Sequence, residues 1–161
     1  MLTIRSALNE DRDAIWSILE PVIRAGETYA VAQEMSCDDV LAWWFTADHQ
    51  VFLAEEDRRV IGTYFLRANQ KGRGAHVANC GYVTASFASG KGVANAMCVH
   101  SLDQARRSGF KAMQFNFVVS TNERAVRVWQ RNGFEIVGRL PAAFDHPSAG
   151  LVDAYVMHRF L

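Results

Sequence analysis

The run Tyr82-Val-Thr-Ala-Ser-Phe-Ala-Ser-Gly-Lys-Gly-Val-Ala-Asn95 has the composition of a strand that turns through small residues straight into a helix. Such a junction leaves several backbone N–H groups without intrahelical partners, and the helix dipole and Lys91 add positive potential where they converge. That arrangement holds phosphates. Gly90 and Gly92 permit close backbone approach, although an ordinary tight strand-to-helix turn would also use them. Spacing removes two phosphate chemistries. A nucleoside-triphosphate loop needs Gly-x-x-x-x-Gly-Lys-Ser/Thr, but Ala85 stands where the first Gly would be and Gly92 follows Lys91. A dinucleotide fingerprint starting at Gly90 would need Gly where this chain has Asn95.

What remains is a pyrophosphate carried by neither nucleotide class, and coenzyme A is the leading candidate. A second segment sharpens this: Ser120-Thr-Asn-Glu-Arg-Ala-Val-Arg-Val-Trp-Gln-Arg-Asn-Gly-Phe134. Together the two segments resemble the GNAT superfamily of acyl-CoA-dependent N-acyltransferases. Its Gln/Arg-x-x-Gly-x-Gly/Ala loop is matched by Ser89 to Ala94, and its later Asn-x-x-Ala…Tyr-x-x-x-Gly-Phe by Asn122, Ala125, Trp129, Gly133 and Phe134. The resemblance covers essentially the whole chain, including the opening Ile4-Arg5 strand. It implies acetyl-CoA as acetyl donor, contacted by Tyr82, Val83, Thr84, Ser89, Gly90, Lys91, Gly92, Val93, Ala94, Asn122 and Trp129. Ser89 stands where the family usually has Gln or Arg, which leaves the cradle to the backbone. Trp129 stands where many members place a thiolate-protonating Tyr, and indole cannot donate in that way. A thiol with a pKa near that of free Cys, about 8.5, can leave as thiolate with little acid help.

Ser/Gly-x-His-Val-x-Asn on the strand at about His76–Ala85, with Asn on the next parallel strand and again at the following helix start, is matched by His76, Val77, Asn79, Asn116 and Asn122. These positions, with Gln114-Phe-Asn-Phe117, resemble yeast proline-analogue N-acetyltransferases, which act on azetidine-2-carboxylate. The stretch Gly26-Glu-Thr-Tyr29 before Trp43-Trp44-Phe45 is similar to phosphinothricin-type amino-acid acetyltransferases. Both relationships imply the amine of a small amino-acid-like acceptor, with Glu27, Thr28, Tyr29, His76, Asn79 and Asn116 as its contacts. An unpaired carboxamide at Asn116, among Met113, Phe115, Phe117, Val118 and Val119, would cost about 1–3 kcal/mol, so a partner is expected. Asn79 and Asn116 are the candidate catalytic residues, and each amide could instead satisfy sheet backbone where the strands splay.

Acetyl transfer to an amine needs a neutral nucleophile, a held oxyanion and a route for the ammonium proton. Backbone N–H groups around Val83 and Thr84 are the expected oxyanion donors. No carboxylate lies between His76 and Ala85, so proton removal is expected through water held by Asn79 or Asn116, with Glu27 or His76 as direct alternatives. Trp43, Trp44 and Phe45 read as packing residues. Arg124, Arg127 and Arg131 share a helix face that solvent or an adenosine 3′-phosphate could meet. Phe144 and His146 could rim the acceptor pocket or mediate a homodimer contact.

The elements must position these groups. Strands are predicted at about Leu2–Ala7, Val51–Ala54, Arg59–Arg67, His76–Ala85, Lys111–Val119, Phe134–Leu140 and Leu151–Phe160. Helices are predicted over about Glu10–Arg24 with Asn9 as cap, from Ser36 through Trp44, from Gly92 to Ser108, and to Arg131 from a capping box Ser120-Thr-Asn-Glu123. Pro141 and Pro147 mark a loop. Lys111–Val119 reads as buried on both faces. The order implies a single-domain α/β fold spanning residues 1–161, a mixed, mostly antiparallel sheet of about seven strands with a central splayed parallel pair and about four helices.

The 161 residues carry 17 Lys and Arg against 17 Asp and Glu, a formal charge of zero, which argues against a nucleic-acid or anionic-membrane partner. With 50% hydrophobic and 21% charged residues the chain is globular rather than disordered. Cys37, Cys80 and Cys98, without C-x-x-C spacing, suggest neither a disulfide framework nor a metal site, and fit a reducing cytoplasm. No apolar run approaches the ~20 residues of a membrane span, and no signal peptide is read. The function expected is acetyl-CoA-dependent N-acetylation of a small amino acid or analogue by direct attack. The alternatives are another amine, such as a protein N-terminus, polyamine or antibiotic, or a non-catalytic CoA-binding module.

Overall fold

The computed structural model describes residues 1–161. Its strands are β1 (Thr3–Ser6), β2 (Gln50–Glu56), β3 (Arg59–Ala68), β4 (Val77–Thr84), β5 (Ala112–Val119), β6 (Glu135–His146) and β7 (Gly150–Phe160). Helices are α1 (Arg12–Ala25), α2 (Cys37–Trp44), α3 (Val93–Arg107) and α4 (Glu123–Arg131). One sheet in the order β1-β2-β3-β4-β5-β7-β6 contains every strand. All neighbours are antiparallel except β4 and β5. This is the mixed α/β sheet with a central parallel pair that the sequence implies.

The apolar spacing of α1 buries Ile15, Ile18, Leu19 and Ile23 against the sheet, while Val22 is only partly covered. Ser36 caps α2 as expected, accepting from the amide of Asp39 at 3.1 Å. Trp44 on α2 is fully buried and its indole N–H donates to Thr63 at 3.1 Å, so this large ring packs without a lost hydrogen bond. Tyr64 of β3 is equally buried on the opposite face, its hydroxyl 2.6 Å from Nδ1 of His100 on α3. The two faces of the sheet are thus divided between α1 with α2 and α3 with α4.

Several local expectations are corrected. Asn9 does not cap α1; it opens a 3-10 turn, Asn9–Asp11, and Asp11 instead takes the Leu8 amide at 2.7 Å and a two-pronged bond from Arg5 at 2.8 and 2.9 Å. Asn122, not Ser120, caps α4, accepting from the amide of Ala125 at 3.4 Å. Pro141 lies inside β6 rather than in a loop. β6 is the sheet edge, where a residue without an N–H costs no ladder bond, and a register shift between Leu140 and Phe144 absorbs it. Nor is β5 buried throughout, because Asn116 is exposed.

The feature that makes room for a site is the separation of β4 from β5. Their ladder holds only Val77 opposite Ala112 and Ala78 opposite Met113. Beyond it, β4 stays on β3 as far as Thr84, whereas β5 follows β7. Between Phe115 and Val118 the β5 chain advances one residue more than its β7 partners Met157 and Tyr155, a bulge at Asn116 and Phe117. The two central strands therefore open like a V from a closed end near His76.

Candidate active site

A cavity of about 990 Å³ occupies the open end of the V. One wall is β4 from Asn79 to Thr84, and the other is Phe115 to Val119 of β5. Five consecutive residues of β5, Phe115 to Val119, line the cavity, and the bulge at Asn116 and Phe117 lies in the middle of them. The α1–α2 loop, Glu27 to Val31, closes one end, and the β4–α3 turn with α4 closes the other.

At the second end, Gly90 and Gly92 hold φ of 82° and 80°, a left-handed conformation that disfavours any other residue. A Cβ on either glycine would meet nothing within 4 Å, so the space beside them is open. Backbone amides of Val93, Ala94 and Asn95 open the first turn of α3 with no intrahelical acceptors and sit at this end of the cavity. Ser89 accepts a hydrogen bond from the guanidinium of Arg124 at the start of α4. The residue that lacks a cationic side chain within the loop is thus served by one from α4. Arg124 also lines a second recess of about 270 Å³ with Arg127, Gln130 and Arg131. Lys91 projects away, exposed and absent from the cavity wall.

The pairing of β4 decides which of its amides face the V. Asn69 donates to the Val77 carbonyl at 2.8 Å and Ala85 to the Ile61 carbonyl at 2.9 Å, so alternate residues Val77, Asn79, Gly81 and Val83 direct their backbone to β3. The amides of Cys80, Tyr82 and Thr84 point the other way. Of the two amides expected to serve as oxyanion donors, that of Thr84 faces the gap and that of Val83 does not, while the Tyr82 amide also faces it. The side chain of Tyr82 has its hydroxyl engaged within the protein. The Ser101 hydroxyl donates to the Cys98 carbonyl at 2.7 Å, so the Tyr82 hydroxyl donates to Ser101, also at 2.7 Å. Burial raises its pKa well above the usual phenol value. Trp129 is buried beside it, ring centres 4.7 Å apart, and lines the cavity with Asn122.

At the first end, Tyr29 lines the cavity and its hydroxyl donates to the Tyr82 carbonyl at 3.0 Å, tying the loop to the open edge of β4. The loop is anchored at its base by Arg24 to the Met35 carbonyl at 2.8 Å and by Gln33 to the Arg24 carbonyl at 2.8 Å. Glu27 is the only carboxylate on the cavity wall. Asn79 is buried, its amide nitrogen donating to the Gln114 carbonyl at 2.9 Å. Asn116 finds the partners expected of it: it donates to Asn69 at 2.6 Å and accepts from Gln114 at 2.9 Å. His76 does not join the site. It sits before the closed end of the V, exposed, with Nδ1 3.1 Å from the Arg73 carbonyl. Phe144 is buried, its ring centre 6.2 Å from that of Phe117, while His146 accepts the amides of Ser148 and Ala149 within the β6–β7 turn.

A gap between two splayed parallel strands, with a glycine-containing turn and a helix start at one end and a loop-covered pocket at the other, is the arrangement that defines the class of this α/β fold. Residues 13–134 match the Acetyltransferase (GNAT) family, and the chain belongs to it. A GCN5-related N-acetyltransferase from Kribbella flavida shares 40% identity and a TM-score of 0.95 over 99% of this chain and 98% of its own. A phosphinothricin acetyltransferase from Sinorhizobium meliloti, solved with acetyl-CoA, shares the fold at 19% identity, with a TM-score of 0.87 over 99% of this chain and 88% of its own. Among curated proteins, N-acetyltransferase aca1 of Schizosaccharomyces pombe is 32% identical over 98 residues, 60% of this chain and 47% of that protein. The chain thus aligns with about half the length of that relative.

Proposed function

We propose that this protein transfers the acetyl group of acetyl-CoA to the amine of a small amino acid or amino-acid analogue by direct attack. The observation that carries the reading is a single cavity joining the anion cradle of Ser89 to Asn95 to a pocket under Glu27 and Tyr29. Donor and acceptor can then meet between β4 and β5 without a covalent enzyme intermediate.

The cradle fits a pyrophosphate: unpaired first-turn amides, two glycines beside open space and the Arg124 guanidinium converge there. Arg127 and Arg131 in the adjoining recess suit an adenosine 3′-phosphate. Bound acetyl-CoA supplies an activated carbonyl and a thiolate leaving group. The amides of Tyr82 and Thr84 suit the developing oxyanion because they face the cavity and lack strand partners. Asn79 and Asn116 line the same space, and each side-chain oxygen retains a lone pair able to hold a water. Such a water passes the ammonium proton on, with Glu27 as the carboxylate at that end of the cavity.

The small-amino-acid reading draws on the likeness of His76 to Asn79, Asn116 and Asn122 to proline-analogue acetyltransferases and on the loop shared with phosphinothricin-type enzymes. The three cysteines are free thiols, which suits the cytoplasm, and no helix is long and apolar enough to cross a membrane. Exposed Ile136, Val137 and Leu140 on the edge strand β6 favour a homodimer, which light scattering tests directly. The decisive experiment is thiol release from acetyl-CoA with a panel of amino acids, proline analogues, polyamines and N-terminal peptides. Amino acids should raise release well above hydrolysis. CoA binding with no productive acceptor would make this a binding module instead.

A further inference from the structure

We propose that Arg67 is the receptor for the acceptor's carboxylate, making this a site for α-amino acids in their zwitterionic form rather than for simple amines. This rests on the amino-acid reading above and names the residue that would enforce it.

The cavity wall is polarised. Its cations, Arg124 and Arg131, lie at the cofactor end, and its one carboxylate, Glu27, lies at the acceptor end. Glu27 can attract an ammonium, but no cationic side chain on the wall near it can pair with a carboxylate. The next shell of side chains supplies one. Arg67 stands two residues beyond the cavity-lining Phe65 on the same face of β3, directly opposite Asn79 in the antiparallel register. Its Nε donates to Oδ1 of Asn79 at 3.4 Å, and Asn79 is itself part of the wall.

The guanidinium has no counter-ion. The ion pairs made by arginines engage Arg5, Arg106, Arg127 and Arg139, and none engages Arg67. Its titratable neighbour is His49, stacked on Phe65 with ring centres 4.1 Å apart and held toward the neutral form by burial. A half-buried cation beside an imidazole and a carboxamide, with both terminal nitrogens free of acid partners and the Asp48 carboxylate set against His49 at 3.9 Å, is arranged to take an anion from outside the chain. A planar guanidinium binds carboxylate by two parallel N–H bonds, whereas an ester or amide offers no matching charge. With Glu27 on the amine and Arg67 on the carboxylate, the acceptor's polarity is read at both ends.

The test compares amino acids, among them L-proline and azetidine-2-carboxylate, with their carboxamides in two readouts: steady-state thiol release, and calorimetric binding to protein saturated with CoA. In the wild type the acids should outperform their amides by about tenfold or more, the scale of a charge-assisted hydrogen bond. Arg67→Gln should remove that preference by raising KM and Kd for the acids while leaving those for amides and acetyl-CoA unchanged, and Arg67→Lys should restore part of it. Equal use of acids and amides by the wild type, or an equal loss for both in Arg67→Gln, overturns the role of Arg67 while leaving acetyl transfer standing. Arg67-dependent binding of acids without any acetylated product would keep Arg67 as the carboxylate receptor and discard the transfer reading.

Discussion

The side-chain amide of Asn79 donates to the backbone carbonyl of Gln114 at 2.9 Å, one residue beyond the last paired positions of β4 and β5. In a continued parallel ladder that carbonyl would accept from the amide of Cys80. The carboxamide therefore replaces a backbone rung, and the amides of Cys80, Tyr82 and Thr84 are left facing the cavity. A single side chain both fastens the V at its base and frees the donors above it.

Asn79→Leu, which keeps the size but loses the donor, should cost about 1–3 kcal/mol of stability by leaving the Gln114 carbonyl unpaired. It should also lower kcat by about tenfold or more through misalignment of the two walls. Denaturant unfolding and steady-state kinetics check this, with CoA affinity expected to hold. An unchanged kcat in a destabilised variant would reduce Asn79 to a purely structural rung.

At Gly92 the demand is conformational rather than steric, since φ is 80° and a Cβ would meet nothing in the protein. Gly92→Val should strain the turn by about 1–2 kcal/mol and place its side chain in the space assigned to the pyrophosphate. CoA binding measured by calorimetry should fall below detection while the far-ultraviolet spectrum stays folded. Retained affinity would move the phosphate site elsewhere.

Arg124→Gln should weaken CoA binding by about tenfold and flatten the dependence of affinity on salt, because one charge-assisted contact is removed. Arg106→Gln, on α3 and paired with Asp103 at 3.1 Å, is the control and should leave affinity unchanged. Equal behaviour of the two variants would show that Arg124 serves only to hold Ser89.

These residues divide by how far the chain must fold to reveal them. The β4–α3 cradle was legible because small residues, two glycines and a helix start lie side by side in sequence. The partnership of Arg124 with Ser89 spans 35 positions and that of Asn116 with Asn69 spans 47, so neither has a local signal. The apolar neighbours of Asn116 predict burial, yet it lies exposed in the β5 bulge, which appears only in the pairing with β7. Pro141 predicts a loop because edge position is a property of the sheet, not of the residues around it. His76 matched a motif by spacing, but the closed end of the V excludes it from the cavity.

The histidines that do carry structural weight predict a pH response. Burial lowers the pKa of His49 and of His100, so each holds fewer protons folded than unfolded. Their contribution is present above the unfolded value of about 6.5 and is lost as pH falls below it toward the folded values. Nδ1 of His100 lies 2.6 Å from the Tyr64 hydroxyl, which must accept from it once the ring is protonated. The Tm should fall between about pH 7.5 and about pH 5.5, and His100→Gln should shrink that fall. An identical fall in the variant would assign the response to other groups.

The most direct measurement of the account as a whole is the initial-velocity pattern with acetyl-CoA and an amino-acid acceptor varied together. Direct attack inside one continuous cavity requires both to be bound at once, so the double-reciprocal lines should intersect. Parallel lines, with isolation of an acetylated protein in the absence of acceptor, would contradict it.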